Sequence, residues 1–122
     1  MSSTPIPPRA LTDLEISVVT KLLSSNVPGA SEYLAQLPYS QVLATWGIGS
    51  PSVDLMVQPG PVQASGQLDG IFASGAVTDR TGSPIGEVIL WTENGWLSGI
   101  GYAWYTDEPP RALPEPGRIE LL

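Results

Sequence analysis

The chain has 122 residues, of which 42 % are hydrophobic and 14 % are charged, and it contains neither histidine nor cysteine. This length fits one globular domain, and the missing residue types exclude disulfides, thiolate chemistry and a serine nucleophile activated by histidine. Twelve acidic against five basic side chains give a formal net charge of -7, so the clustered cations that nucleic acids require are lacking.

The first predicted elements are a leader and a helix. Residues 1–10 carry three prolines and predict a flexible leader, so the folded domain is expected to span residues 11–122. Thr12 and Glu15 form a capping box, and an apolar stripe at helical spacing follows them. This pattern predicts a helix over residues 13–24.

A second, shorter helix is predicted after Pro28. Its apolar side chains recur at the spacing of one helical face, at Ala30, Tyr33, Leu34 and Leu37. Pro38 ends the pattern, because proline cannot continue a helix. The two helices predict an N-terminal helical hairpin.

Strands are predicted for the rest of the domain, where the apolar period changes toward 2. The predicted strands are residues 41–46, 53–57, 70–78, 85–91 and 96–105. Asn94-Gly95 favours a type I′ turn between the last two. A proline-rich tail begins at about residue 106, and residues 118–122 either add a short edge strand or hang free. The predicted fold is α+β, with the N-terminal helical hairpin packed on a mostly antiparallel sheet of about five strands.

The last predicted strand has two unequal faces. One face carries three large aromatic side chains, Trp96, Tyr102 and Trp104, and the other is centred on Gly99 and Gly101. In one interpretation a helix packs against the small face and the aromatic face points outward. In the other, the aromatic face is the core, and the glycines lie where a bulge or curvature is needed.

Asp107 and Glu108 follow this strand directly, and two prolines come after them. Together with Trp96, Tyr102 and Trp104 they predict an acidic, aromatic edge that binds a basic protein partner. The alternative is a polar loop that ends the strand, with prolines protecting the sheet edge.

The sequence offers no catalytic, cofactor-binding or metal-ligating constellation. Its acidic residues lack the spacing of a calcium loop, and the segment 47–50 lacks the helix that a phosphate loop requires. Asp54 is the one acid whose apolar neighbours suggest partial burial. A deep apolar pocket containing Asp54 or Glu87 would favour a small-molecule site.

Several segments resemble small uncharacterised bacterial α+β domains. They are Gly-Glu-Val-Ile-Leu-Trp-Thr-Glu-Asn-Gly-Trp-Leu-Ser (86–98), Tyr-Thr-Asp-Glu-Pro-Pro (105–110), Leu-Pro (113–114) and the opening Leu-Thr-x-x-Glu (11–15). The resemblance covers most of residues 11–114, but its motifs mark turns and it implies no activity. The size and acidity of such domains are similar to those of toxin-immunity proteins.

These features predict a non-enzymatic protein-binding domain, similar to an immunity or antitoxin protein that occludes a basic toxin. One alternative is a small-molecule-binding domain, or a carboxylate-based enzyme, with a pocket between helices and sheet. Another is a homo-oligomeric structural domain that pairs through a sheet edge.

No cofactor and no nucleic acid is expected as a partner. No membrane is expected either, since no apolar run is long enough to span a bilayer. The leader lacks the features of a secretory signal, so the cytoplasm is the expected location.

Overall fold

The computed structural model describes residues 3–24, 27–65 and 69–122, and it is dominated by one sheet. The strands are β1 (Thr4–Ala10), β2 (Ser40–Thr45), β3 (Val53–Val57), β4 (Gly70–Thr78), β5 (Pro84–Glu93), β6 (Trp96–Trp104) and β7 (Ile119–Leu121). Their order across the sheet is β1-β2-β3-β6-β5-β4-β7, and every neighbouring pair is antiparallel. The helices are α1 (Asp13–Leu22) and α2 (Ala30–Gln36), with 3-10 turns at Leu37–Tyr39 and Pro116–Arg118.

The predicted fold class is wrong in its proportions. The described residues form a seven-stranded antiparallel sheet with two short helices, whereas the sequence predicts a helical hairpin on about five strands. One extra strand is β1, which pairs with β2 where a flexible leader is predicted; residues 1 and 2 of that leader lie outside the described residues. An edge strand tolerates prolines, because only one of its sides needs N–H donors. The other extra strand is β7, which pairs with β4 at the opposite edge and is the short edge strand that the sequence left open for residues 118–122.

Helix α1 begins as its sequence predicts. Glu15 N donates to Thr12 Oγ1 over 3.1 Å, and Thr12 N donates to Glu15 Oε1 over 2.8 Å, which confirms the capping box. The helix ends at Leu22, two residues before the predicted end, and packs against β4. A Cβ on Gly75 would clash with Ile119 Cγ2 of β7 and lie 3.3 Å from Leu22 Cδ2, so this glycine first makes room for β7 and also lets the helix lie close to the sheet. No helix in the described ranges is long and apolar enough to cross a membrane.

The turn between β5 and β6 also has the conformation that its sequence predicts. Asn94 and Gly95 have φ angles of 53° and 80°, and these positive values are those a type I′ turn requires. The segments around the turn match the predicted strands to within two residues at each end.

A bulge in β6 overturns the predicted alternation of its faces. Trp91 pairs with Gly99 and Thr92 pairs with Leu97, so Ser98 is an extra residue. Leu97 therefore lies in the same core cluster as Ile100 and Tyr102, although a regular strand would put it on the opposite face. Neither predicted interpretation holds as a whole. The bulge exists, but the aromatic residues of β6 divide between core and surface.

Candidate functional site

A cleft opens beside the C-terminal half of β6, because the neighbouring strand is shorter. β3 begins at Val53, which pairs with Ile100, so residues 101–104 of β6 run past the end of β3. Tyr102 N there donates to Ser52 Oγ over 2.9 Å, which gives the buried N–H a partner in place of a strand carbonyl. The cleft along this edge has a volume of about 760 Å³.

Three of the four tryptophans of the chain, Trp46, Trp91 and Trp104, line this cleft. The lining consists of residues 46–52 after β2, residues 89 and 91 of β5, residues 101–104 of β6, and residues 109–111 of the C-terminal tail. We call this feature the tryptophan cleft. Its volume lies within the range of roughly 300–1,000 Å³ that small-molecule sites occupy, and such sites are mostly apolar and aromatic.

Trp46 is held in place from several sides. Its backbone N donates to Ser52 O over 3.0 Å, and its Nε1 donates to Asp54 Oδ1 over 2.9 Å. The second carboxylate oxygen of Asp54 accepts from Ser3 Oγ over 2.6 Å. A Cβ on Gly101 would lie 2.9 Å from Trp46 Cη2, so only glycine leaves room for this indole position. Asp54 thus supports a wall of the cleft from behind and is not itself a lining residue.

Trp91 contributes an unmatched polar group. Its Nε1 is buried and has no hydrogen-bond partner among the described residues. A Cβ on Gly101 would lie 3.1 Å from this nitrogen, so Trp91 and Trp46 flank the same glycine. A buried donor that stays unpaired costs about 1–3 kcal/mol.

The loop of residues 46–52 forms one side of the cleft mouth. Gly47 and Gly49 have φ angles of 124° and 75°, which side-chain-bearing residues rarely adopt. Ser50 N donates to Gly47 O over 3.1 Å and closes the turn. The turn presents Ile48, which is 96 % exposed. Ile48 adds its exposed side chain to the apolar lining at the mouth of the cleft.

The structure brings part of the predicted partner-binding set to this cleft. Trp104 lines it and is 44 % exposed, whereas Tyr102 lines it from the core and is 7 % exposed. Burial raises the pKa of the Tyr102 phenol above its ordinary value. Asp107 and Glu108 are exposed on the turn that leads to the lining prolines.

Trp96, the remaining member of the predicted set, lies elsewhere. It follows the Asn94-Gly95 turn at the opposite end of β6, about 26 Å from Trp104 at about 3.3 Å per residue. A separate, smaller pocket lies there, lined by residues of β3, of the turn and of the first part of β6, including Trp96. The predicted set from Trp96 to the acidic pair therefore does not meet in the tryptophan cleft, and its role in binding a protein partner stays a prediction.

Sequence reasoning did not identify Trp46, Trp91 or Arg111 as site residues. Trp46 lies directly after β2, Trp91 lies on β5 and Arg111 lies in the C-terminal tail, and only the strand order brings them together. One signal was present: Ile48 stands between two glycines directly after Trp46, which is an unusual place for an apolar side chain. In the described ranges no group of three or more acidic side chains is placed to hold a metal ion.

No protein-family model, curated protein or solved structure matches this chain. The resemblance to small bacterial domains and to immunity proteins therefore stays a prediction.

Proposed function

We propose that this protein is a non-enzymatic binding domain that takes the apolar part of a small molecule into the tryptophan cleft. The observation that carries the proposal is the joint lining of a cleft of about 760 Å³ by Trp46, Trp91 and Trp104. Of the alternatives that the sequence left open, a small-molecule site now leads, because a small ligand fits a concave apolar cleft better than it fits a flat surface. The cleft is lined by strands and loops, however, and not by helices and sheet as the sequence predicted.

The indole surfaces supply the affinity. Burying apolar surface contributes about 25 cal/mol per Å², so covering about 200 Å² contributes about 5 kcal/mol before the costs of association. A ligand that stacks on an indole gains about 0.5–1.5 kcal/mol more. These magnitudes favour a ligand with a ring or a short apolar chain, bound weakly, with a dissociation constant of about 1 mM or above.

The cleft is formed before any ligand arrives. Asp54 fixes the indole of Trp46 through Nε1, and Ser52 fixes the edge of β6 through Tyr102 N. Because these contacts already order the walls, a ligand meets a low entropic cost on binding.

Binding without chemistry fits the polar groups of the lining. Ser52 Oγ accepts from Tyr102 N, and Ser50 Oγ accepts from Ser52 N over 3.1 Å. Both hydroxyls therefore already bind backbone N–H groups of the protein. The two carboxylates considered for an enzyme, Asp54 and Glu87, are not lining residues. The cytoplasmic setting expected from the sequence is part of this proposal.

A titration of tryptophan fluorescence with 4-phenylbutanol tests the proposal. Ala103 is an exposed lining residue, so Ala103→Leu fills part of the cleft with little cost to folding. Ala10→Leu is the matched control, because Ala10 is an exposed strand residue outside the cleft. We expect saturable binding to the unmodified protein and to Ala10→Leu, and at least tenfold weaker binding to Ala103→Leu. Absence of binding, or equal binding to all three proteins, would contradict the proposal.

A protein partner is the second candidate, and exposed side chains around the cleft favour it. Ile48, Trp104 and Tyr105 are 96 %, 44 % and 65 % exposed, and Asp107 and Glu108 are exposed beside them. Aromatic side chains dominate interface hot spots, and the acidic pair would favour a basic partner such as the predicted toxin.

A co-purification from native cells tests the protein partner. Loss of a captured basic protein in the Asp107→Asn, Glu108→Gln double variant, and at raised salt, would support this candidate. Capture that is indifferent to both changes would contradict it. The homo-oligomeric alternative stays a prediction that light scattering checks.

A further inference from the structure

A second recess continues the tryptophan cleft toward the start of α1. It has a volume of about 200 Å³ and shares Ser50, Pro51 and Arg111 with the cleft. The other lining residues include Arg9 and Glu15. Arg111 therefore stands at the junction, where an apolar compartment of three indoles meets a compartment lined by charged groups.

The charges of this recess are not equivalent. Arg9 Nη1 and Nη2 donate to the two carboxylate oxygens of Glu15 over 2.9 and 3.0 Å, so these two groups neutralise each other. Arg9 Nη1 also donates to Ala10 O over 3.0 Å. Arg111 is exposed and makes no hydrogen bond or ion pair with any other residue in the described ranges. The recess thus retains one unmatched positive charge, in a chain of net charge -7.

An unmatched guanidinium beside an apolar cleft selects for a particular ligand chemistry. The planar fork of N–H donors fits a carboxylate in a bidentate arrangement, and such charge-assisted bonds are stronger than neutral ones. A cationic ligand would be repelled at this point, and a purely apolar one would leave the guanidinium unused.

We propose that the ligand of the tryptophan cleft is a small amphipathic carboxylate, whose apolar body lies on the indoles and whose carboxylate binds Arg111. This inference rests on the proposed small-molecule function and adds to it the charge of the ligand. The preference for an anion depends on Arg111. The protein as a whole repels anions, since its net charge is -7.

Three probes that differ only in their head group test the inference: 4-phenylbutanoate, 4-phenylbutanol and protonated 4-phenylbutylamine. Each is titrated into the unmodified protein, Arg111→Gln and Arg80→Gln, at about 10 mM and about 500 mM salt. Arg80 is the matched control, because it is an exposed arginine on a turn outside both cavities. Equal thermal unfolding of the three proteins verifies that the substitutions act on binding alone.

At low salt we expect the unmodified protein to bind the carboxylate about fivefold more tightly than the alcohol, and the amine more weakly than the alcohol. Arg111→Gln should abolish this preference while keeping the affinity for the alcohol, and Arg80→Gln should leave the preference intact. High salt should shrink the preference, since an exposed ion pair is screened.

The outcomes separate the two proposals. Tight binding of the alcohol with no gain for the carboxylate, or a preference for the amine, would overturn the carboxylate inference and leave the binding cleft standing. A carboxylate preference that survives in Arg111→Gln would also overturn it. Failure of all three probes to bind would overturn both proposals together.

Discussion

The two ends of β6 are built differently. At the turn end, the fully buried Gln36 donates from Nε2 to Gly95 O over 2.8 Å and to Val62 O over 3.2 Å, and its Oε1 accepts from Leu97 N over 3.0 Å. At the other end, residues 101–104 run past β3, and Trp104 is 44 % exposed beside the cleft.

This difference separates stability from binding within a single strand. At the turn end one buried side chain bonds three backbone groups, and losing it would deprive the buried Leu97 N of this acceptor, while Gly95 O keeps a bond from Ala64 N. At the cleft end the large apolar side chains remain partly uncovered, which lowers stability relative to full burial and leaves surface for a ligand. We therefore expect substitutions at the turn end to change folding and substitutions at the cleft end to change binding.

The largest expected effect is that of Gln36→Leu. The substitution removes three hydrogen bonds and leaves the buried Leu97 N without its side-chain partner, whereas Gly95 O keeps its bond from Ala64 N. We expect the free energy of unfolding to fall by roughly 2–4 kcal/mol. Urea denaturation measures the change. A loss below about 0.5 kcal/mol would show that the turn end is not the stable anchor of β6.

Glu15→Gln should have a smaller effect that depends on pH. Burial raises the pKa of the Glu15 carboxyl, but hydrogen bonds from Arg9 and from Thr12 outweigh burial and hold the pKa below its ordinary value of 4.5. A lowered folded-state pKa stabilises the protein above pH 4.5, and this stabilisation is lost as the pH falls through the folded-state pKa.

At neutral pH we therefore expect Glu15→Gln to reduce the free energy of unfolding by about 1–2 kcal/mol, because Arg9 loses a half-exposed ion pair. The gap between the two proteins should close as the pH drops below 4.5. Thermal unfolding across a pH series measures it. A gap that stays constant down to strongly acidic pH would exclude the ion pair as its source.

Trp104→Ala should change stability least among these substitutions. Full burial in the core would make the loss about 3–5 kcal/mol, but the 44 % exposure of Trp104 predicts a loss below about 1.5 kcal/mol. Binding of 4-phenylbutanol should weaken at least fivefold, because one indole wall is lost. Urea denaturation and the same fluorescence titration give the two values. A severe loss of stability with unchanged binding would reverse the assignment of the two ends.

Local signals in the sequence predicted several elements well. The capping box of Thr12 and Glu15 located the start of α1, and Asn94-Gly95 located the turn between β5 and β6. The strands β3 and β4 coincide with the predicted ranges, because their turn-forming neighbours mark both ends. In each case residues close in sequence carry the information.

The sequence failed where structure depends on distant partners. β1 carries prolines that favour a loose leader, and its pairing with β2, about thirty residues away, makes it a strand. The Ser98 bulge arises only when β6 is aligned with β5. Trp46, Trp91 and Trp104 lie far apart in the chain, so their meeting in one cleft follows from the strand order and from the short length of β3. Of this set, only Trp104 was predicted as a site residue.

The indole N–H signals of the four tryptophans, followed by nuclear magnetic resonance during a titration with 4-phenylbutanol, test the central claim most directly. Trp46, Trp91 and Trp104 line the cleft, and Trp96 lies at the other end of β6. We predict that the first three signals shift with one common saturation curve while the Trp96 signal stays in place. A shift of the Trp96 signal alone, or no saturable shift of any indole signal, would contradict the tryptophan cleft as a binding site.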